Sequence, residues 1–430
     1  MVRWYMPLAF VFVSLPASAM TLTQAIETTL ETNPNILASK YNVEAAEDVV
    51  RQAQAGYLPT LDVVLAGGNE VSNNATTRAT SVDELELHRE ERSIRLTQKL
   101  YDGFATQRNV RQQRSLLDAA ASRLTGTEET TGLRAVQVYL EVLRREELVS
   151  LARDNLDQHD STLSKIRERF ESGVGTRVDV VQTQGRRAQS RSNLLLAQRN
   201  ARNSEAQFER VVGEAPRKLE LPEAVGDLPT TLDAALEIAW RNNPRLLAAE
   251  AELHAAEAAQ KLARSSFHPR FDLQLGATRN DDIDGTVGAN DDETAVIRMT
   301  YNLYRGGADR ARLNEAESRS FAARENLRAA RRAVTEDVTL IWNELEDIKQ
   351  RIEHLESYVD STEEVLDVYN EQLSLGKRSL LDLLDIQNEL LRARAAHVSG
   401  QYTLRLARYR VLASLGQLLD TMDIQSARAE

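Results

Sequence analysis

The chain repeats itself, and that repetition constrains its fold more than any other feature. Thr21–Gly68 aligns without gaps on Thr231–Thr278 at an offset of 210, with 15 of 48 positions identical. Asn33-Pro34 matches Asn243-Pro244, Ala45-Ala46-Glu47 matches Ala255-Ala256-Glu257, and Pro59 matches Pro269. The offset then becomes 203. Leu100-Tyr101 matches Leu303-Tyr304, Gly173 matches Gly376, Asp179 matches Asp382, and Gly213 matches Gly416. A period of about 200 residues is a duplicated domain and not a solenoid of small units. Two repeats are expected, 20–229 and 230–430. A secretory signal peptide is expected at 1–19, from Arg3, the apolar run Leu8–Leu15 and the A-x-A site Ala17-Ser18-Ala19.

Within each repeat the hydrophobic period changes twice. A helix is expected over 35–57, where Asn33 can cap and Pro34 suits the first turn, with Pro59 ending it. Strict alternation follows. Ile94, Leu96 and Leu100 alternate with Arg95, Thr97 and Lys99. In the second repeat Phe271, Leu273 and Leu275, then Ile297, Met299, Tyr301 and Leu303, do the same. A period of two marks strands with one apolar face, so each repeat supplies one β-hairpin. The period then lengthens. Val338, Ile341, Leu345, Ile348, Ile352, Leu355, Val359, Thr362, Leu366, Tyr369 and Leu373 recur at 3-4 spacing, a coiled-coil seam. The long runs, 104–171 and 308–375, predict rods of roughly 100 Å. The returning helices, 177–212 and 379–415, reach only about half as far, so a second short helix must complete each height. Glu214–Pro229 is expected to strap the middle.

No stretch after the signal peptide has the ~18 apolar residues that a bilayer-crossing helix needs. Entry into a membrane therefore requires a β-barrel. Four strands cannot close one, because the smallest known have eight. Two copies would give eight strands, a width that side chains fill. Three would give twelve strands around a water-filled bore, continued by twelve helical rods. A homotrimer is the expected assembly. Composition excludes several other classes. There is no Cys, hence no disulfide scaffold, thiol nucleophile or Cys-type zinc site. A net charge of −12 with no basic block argues against nucleic acid as a partner.

These features resemble the TolC-type outer membrane efflux protein family. The resemblance rests on Ala235-Leu236-Glu237 followed by Asn242-Asn243-Pro244, and on the exits Leu100-Tyr101-Asp102-Gly103 and Leu303-Tyr304-Arg305-Gly306. It rests equally on the turns Gly173–Asp179 and Gly376–Asp382, and it spans the whole mature chain. The family implies a mainly α fold with a β-hairpin per repeat. Its trimeric 12-stranded barrel sits among outer membrane lipid and continues as a long periplasmic α-helical barrel. The implied partners are a periplasmic adaptor (membrane fusion) protein and an inner-membrane ABC transporter or other efflux pump, with exported protein or small-molecule cargo. Asp382 and Asp385, one turn apart on a helix face, match the family's periplasmic gate; stacked in threefold rings they would favour cations. Asp179 and Arg378 match contacts that lock the gate. The family tyrosine of that lock falls on Leu373. The adaptor-docking tip would comprise Gly173, Val174, Leu375, Gly376, Lys377 and Ser379, which also read as ordinary helix-ending turns.

Nothing points to catalysis. The six histidines show no ligand spacing, Gly376-Lys377 lacks the upstream glycine of a phosphate loop, and no G-x-S-x-G elbow occurs. No enzyme activity, cofactor or metal is expected. Drug-efflux members of the resembled family often carry a lipidated Cys at the mature N-terminus and its type I secretion channels do not, so the resemblance, with no Cys here, implies the exit duct of a type I secretion system. A multidrug efflux channel is the alternative, and a periplasmic coiled-coil adaptor or scaffold is the rival of another class.

Overall fold

The computed structural model describes residues 19–79, 83–223, 225–226 and 228–424. Residues 1–18 of the expected signal peptide lie outside the described residues.

The same order of elements runs twice. Repeat one has helices α1 (Leu22–Thr32) and α2 (Pro34–Ala55), strand β1 (Thr60–Ser72), a short helix α3 (Ala75–Ala79) and strand β2 (Leu85–Tyr101). The long helix α4 (Ala105–Glu171) and returning helix α5 (Arg177–Val212) complete it. Repeat two has α6 (Leu232–Asn242), α7 (Pro244–Ala263), β3 (Arg270–Ile283), β4 (Thr286–Thr300), α8 (Ala308–Ser374) and α9 (Leu380–Leu415). A terminal turn, α10 (Leu418–Thr421), follows. α4 and α8 each have 67 residues, about 100 Å of unbroken helix. The kink that forms α1 and α6 is absent from the sequence-based expectation. Asn33 and Asn243 are extended and cap the next helix by accepting from the N–H two residues on, with proline in the following first turn.

The helices pack side by side in one layer. On the sheet side, α4 packs between α2 and α7, and α8 lies beyond α7. On the far side, α4 packs between α5 and α9, with α8 beyond α9. Each long helix thus spans two shorter ones placed end to end. The predicted seam on α8 follows this line, with Val338, Leu345, Ile348, Thr362 and Leu366 buried. The middle is strapped as the sequence suggests. Met20 bridges Leu219, and the Tyr139 hydroxyl lies 2.8 Å from Met20 O and 2.7 Å from Glu220 O. It also accepts from the Glu220 N–H at 3.0 Å. Gly132 has a role here. A Cβ at that position would meet Leu419 Cδ2 at 3.1 Å, so glycine lets the terminal segment close on α4.

The strands form one antiparallel sheet in the order β1-β2-β3-β4, with β1 and β4 as free edges. Its register explains the alternation. Leu61, Leu96, Leu275 and Ala295 stand in one cross-strand row, apolar throughout. One row toward the hairpin ends, Val63–Ile94–Ala277–Glu293 loses its apolar residue on β4. The row after that, Leu65–Arg92–Arg279–Asp291, is apolar on β1 alone. Toward the helices the order reverses: β4 keeps Ile297 and Met299 after β1 has ended. The apolar band is therefore oblique to the strands, the geometry of strands tilted in a barrel wall. Its side chains on edge strand β1 are open to the surroundings, 63% exposed at Leu61 and 74% at Leu65, and those on the central strands less so, 44% at Ile94 and 41% at Leu275.

One boundary differs from expectation. Alternation predicts a strand through Leu303, but β4 stops at Thr300. Its in-chain partner β3 begins at Arg270, just after Pro269, so residues 301–304 have no ladder to join. β2 loses β1 beyond Thr97 but keeps β3 beside it, and continues to Tyr101 across a bulge at Leu100.

Candidate functional site

The two helix turns lie side by side at the end of the layer away from the sheet. Ile166, Leu380 and Leu384 form a shared core there, with Val180 and Leu373 packed against it. Gly173 and Gly376 take φ of 81° and 72°, the left-handed backbone that ends each long helix, so the chain can reverse within five residues. Val174 (71% exposed) and Leu375 (61%) project from the turns, and Gly173, Gly376, Lys377 and Ser379 are exposed with them. The six residues expected at a docking tip thus share one exposed surface.

The duplicated aspartates differ. Asp179 is consumed by a capping box: its carboxylate accepts from the Thr176 N–H at 3.1 Å and hydroxyl at 2.8 Å. At the equivalent place in repeat two, Ser379 accepts from the Asp382 N–H at 3.2 Å, but the Asp382 carboxylate does not return the bond. It lies instead 3.4 Å from the Arg378 Nε. Asp385, one turn on, accepts from Arg186 Nη2 at 2.6 Å. The Asp382 and Asp385 side chains are 43% and 57% exposed. They occupy the first turns of α9, one turn apart, as their spacing requires.

The expected lock between Asp179 and Arg378 is not made within the chain, because both side chains have other partners. Arg378 stacks on the Tyr369 ring at 4.0 Å and donates to the Tyr369 hydroxyl. Leu373 packs against the tip core, and Tyr369, one helical turn earlier, supplies the ring on which Arg378 stacks. A second link joins the tips: Arg169 Nη1 donates to Leu373 O at 3.3 Å. Sequence reasoning missed Arg186, Arg169 and the arginine-facing role of Tyr369. Only the pairing of helices brings Arg186 to Asp385 and Arg169 to the Leu373 carbonyl. A signal was present for Arg186, which lies seven residues after Asp179 on the matching helix of repeat one.

Just above the tip the seam of α4 turns polar. Asn155, His159 and Thr162 are buried at helical spacing, facing Ser190 of α5 and Gln387 of α9. Ser190 donates to Asn155 at 2.8 Å and Gln387 to Thr162 at 3.2 Å. Both ring nitrogens of His159 lack a partner, as do Asn155 Nδ2 and Gln387 Oε1. Burial and the nearby Arg186 hold the His159 pKa below its ordinary value, against the opposing charge of Asp160. Among the described residues, no group of three or more His, Cys, Asp or Glu is placed to hold a metal ion. No helix among them is long and apolar enough to cross a membrane.

A duplicated helix–hairpin–helix unit, an oblique lipid-patterned sheet and a long helical layer narrow the possible families sharply. The family model described as Outer membrane efflux protein matches residues 25–214 and again residues 235–417. The chain belongs to the outer membrane efflux protein family. Its place is the outer membrane, from which it extends into the periplasm. Outer membrane efflux protein BepC of Brucella suis biovar 1 (strain 1330) is 26% identical, covering 96% of this chain and 89% of its own length. Alkaline protease secretion protein AprF of Pseudomonas aeruginosa is 24% identical, over 96% and 88% of the two chains. Among solved structures, CusC superposes with a TM-score of 0.81 at 17% identity, covering 92% of this chain and 91% of that one. Its structural work concerns folding and transmembrane channel formation. Membership of this family replaces the adaptor or scaffold reading: the chain is an outer membrane efflux channel protein.

Proposed function

We propose that this chain forms the exit duct of a type I secretion system, a homotrimeric channel-tunnel that passes proteins across the periplasm and outer membrane. The observation that carries the reading is the sheet: four strands with a lipid-patterned face and two unpaired edges. An open edge in hydrocarbon leaves backbone groups unsatisfied at several kcal/mol each. Pairing β4 of one copy with β1 of the next removes both edges, gives residues 301–304 a ladder, and closes twelve strands at three copies. In this reading 20–229 and 230–430 act as equivalent units around the bore. The tip docks a periplasmic adaptor, and an inner-membrane ABC transporter supplies the energy. Asp382 and Asp385 form the periplasmic constriction.

Likeness to AprF, named for alkaline protease secretion, supports protein cargo. A second reading, the outer membrane component of a multidrug efflux pump, is favoured by likeness to BepC, named as an efflux protein. Deletion in the native host separates the two. Loss of secreted protein with unchanged drug sensitivity supports secretion, and the opposite pattern supports drug efflux. Purified protein that stays monomeric and never conducts in planar bilayers would overturn both.

A further inference from the structure

Alternation puts the second face of the sheet opposite the apolar band, and its charges are sorted by height. Toward the hairpin ends that face carries Glu70, Glu91 and Asp292 against one cation, Arg89. At the base, next to the helices, the sign reverses. Lys99 stands beside Asp272, and Asp272 beside Arg298, in a single cross-strand row. Arg95 stands opposite Asp62, and Arg270 shares the face two residues from Asp272. Asp272 is 3% exposed and held by Arg270 at 2.8 Å, so this pair is internally neutral. Arg95, Lys99 and Arg298 are exposed and form no ion pair among the described residues; Asp62 alone opposes them. In a chain of net charge −12, this is a local excess of positive charge on a water-facing wall.

We infer that this base is a binding collar for small multivalent anions, oligophosphates in particular. The inference rests on the channel reading for its setting, since barrel closure turns the face inward. Lys99 and Arg298 lie on strands two apart, roughly 10 Å across the sheet, a span that a short phosphate chain bridges and a single chloride does not. Arg95 and Arg298 offer forked guanidinium donors suited to phosphate oxygens. Gly276, directly between Arg95 and Thr294 in their row, adds no side chain over the cations. The collar and the Asp382–Asp385 constriction are separated by the length of α8, about 100 Å, some ten Debye lengths at 0.1 M salt. Each therefore acts on permeating ions without sensing the other.

The test uses the full mature chain in detergent, titrated calorimetrically with sodium tripolyphosphate. Wild type is expected to bind, and to bind more weakly as NaCl is raised toward 0.5 M. Arg95→Gln with Lys99→Gln and Arg298→Gln should weaken the affinity about tenfold or more. Asp382→Ala with Asp385→Ala should leave it unchanged. In planar bilayers the same anion, added on the barrel side, should block wild-type current and spare the triple variant. No binding by wild type, or a triple variant that titrates like it, overturns the collar. Protein that binds and discriminates but never conducts refutes the channel reading and leaves the collar standing.

Discussion

Asp179 and Asp382 occupy one position of a duplicated motif, yet only one of them is left free by its helix cap. In repeat one, Thr176 and Asp179 bond each other reciprocally, and that carboxylate is fixed to the backbone. In repeat two the cap is Ser379 alone, and Asp382 with Asp385 remains available to ions and arginines. Two opposite outcomes follow for single-channel recordings. Asp382→Ala with Asp385→Ala should raise conductance and abolish block by multivalent cations. Arg186→Gln should deepen that block, since it frees Asp385 of a partner contributing up to ~1 kcal/mol. Equal cation block in all three proteins would refute the gate assignment. Asp382 and Asp385 stood out in the sequence because they follow the Gly376 turn at helical spacing, and the gate role proposed for them comes from the family resemblance. The arginine that holds Asp385 did not: Arg186 is 199 residues away in the chain, and only the packing of the two hairpins makes it a neighbour.

Along the long helices, the burial of a seam is written in sequence, but the chemistry it tolerates differs from one element to the next. The α8 seam is apolar almost throughout, whereas α4 buries Asn155, His159 and Thr162 in its tip half. Unpaired buried polar atoms there each cost about 1–3 kcal/mol, so this stretch is held less firmly than the Tyr139 strap. The sign of its pH dependence follows from His159. Its folded pKa is lowered, so its neutral form is fully stable above the ordinary pKa and stability is lost as pH falls through the folded value. Arg186 of α5 opposes protonation and Asp160 of α4 favours it. Amide exchange, corrected for intrinsic rate, should show the 150–171 stretch opening faster at pH 5 than at pH 7. His159→Gln should flatten that difference; an unchanged pH response in the variant would rule His159 out as its source.

For the whole molecule, the middle is where the two repeats and the terminal segment are tied together, and Glu129 is part of the knot. Its buried carboxylate accepts from the Leu418 and Leu419 N–H groups at 3.1 and 3.3 Å. Burial pushes its pKa up to about 7, with Asp420 and Glu128 adding to the rise and the two backbone bonds opposing it. A raised folded pKa gives stability that is complete below about 4.5 and lost as pH rises through about 7, worth at most about 3 kcal/mol. Thermal unfolding should therefore show a lower Tm at pH 8 than at pH 5.5, and Glu129→Gln should remove part of that drop. A variant with the wild-type slope would place the pH dependence elsewhere. The duplication, the two long helices and the hairpin in each repeat were determined by sequence alone. Each is a local periodicity or a count, and the pleat and the helical turn convert those directly into structure. Tertiary structure decided the rest: the obliqueness of the apolar band, the early end of β4, the Arg186 partner of Asp385 and the cationic base. These depend on which strand or helix lies beside which, and adjacency between residues hundreds of positions apart is set by three-dimensional packing and leaves no period in the chain.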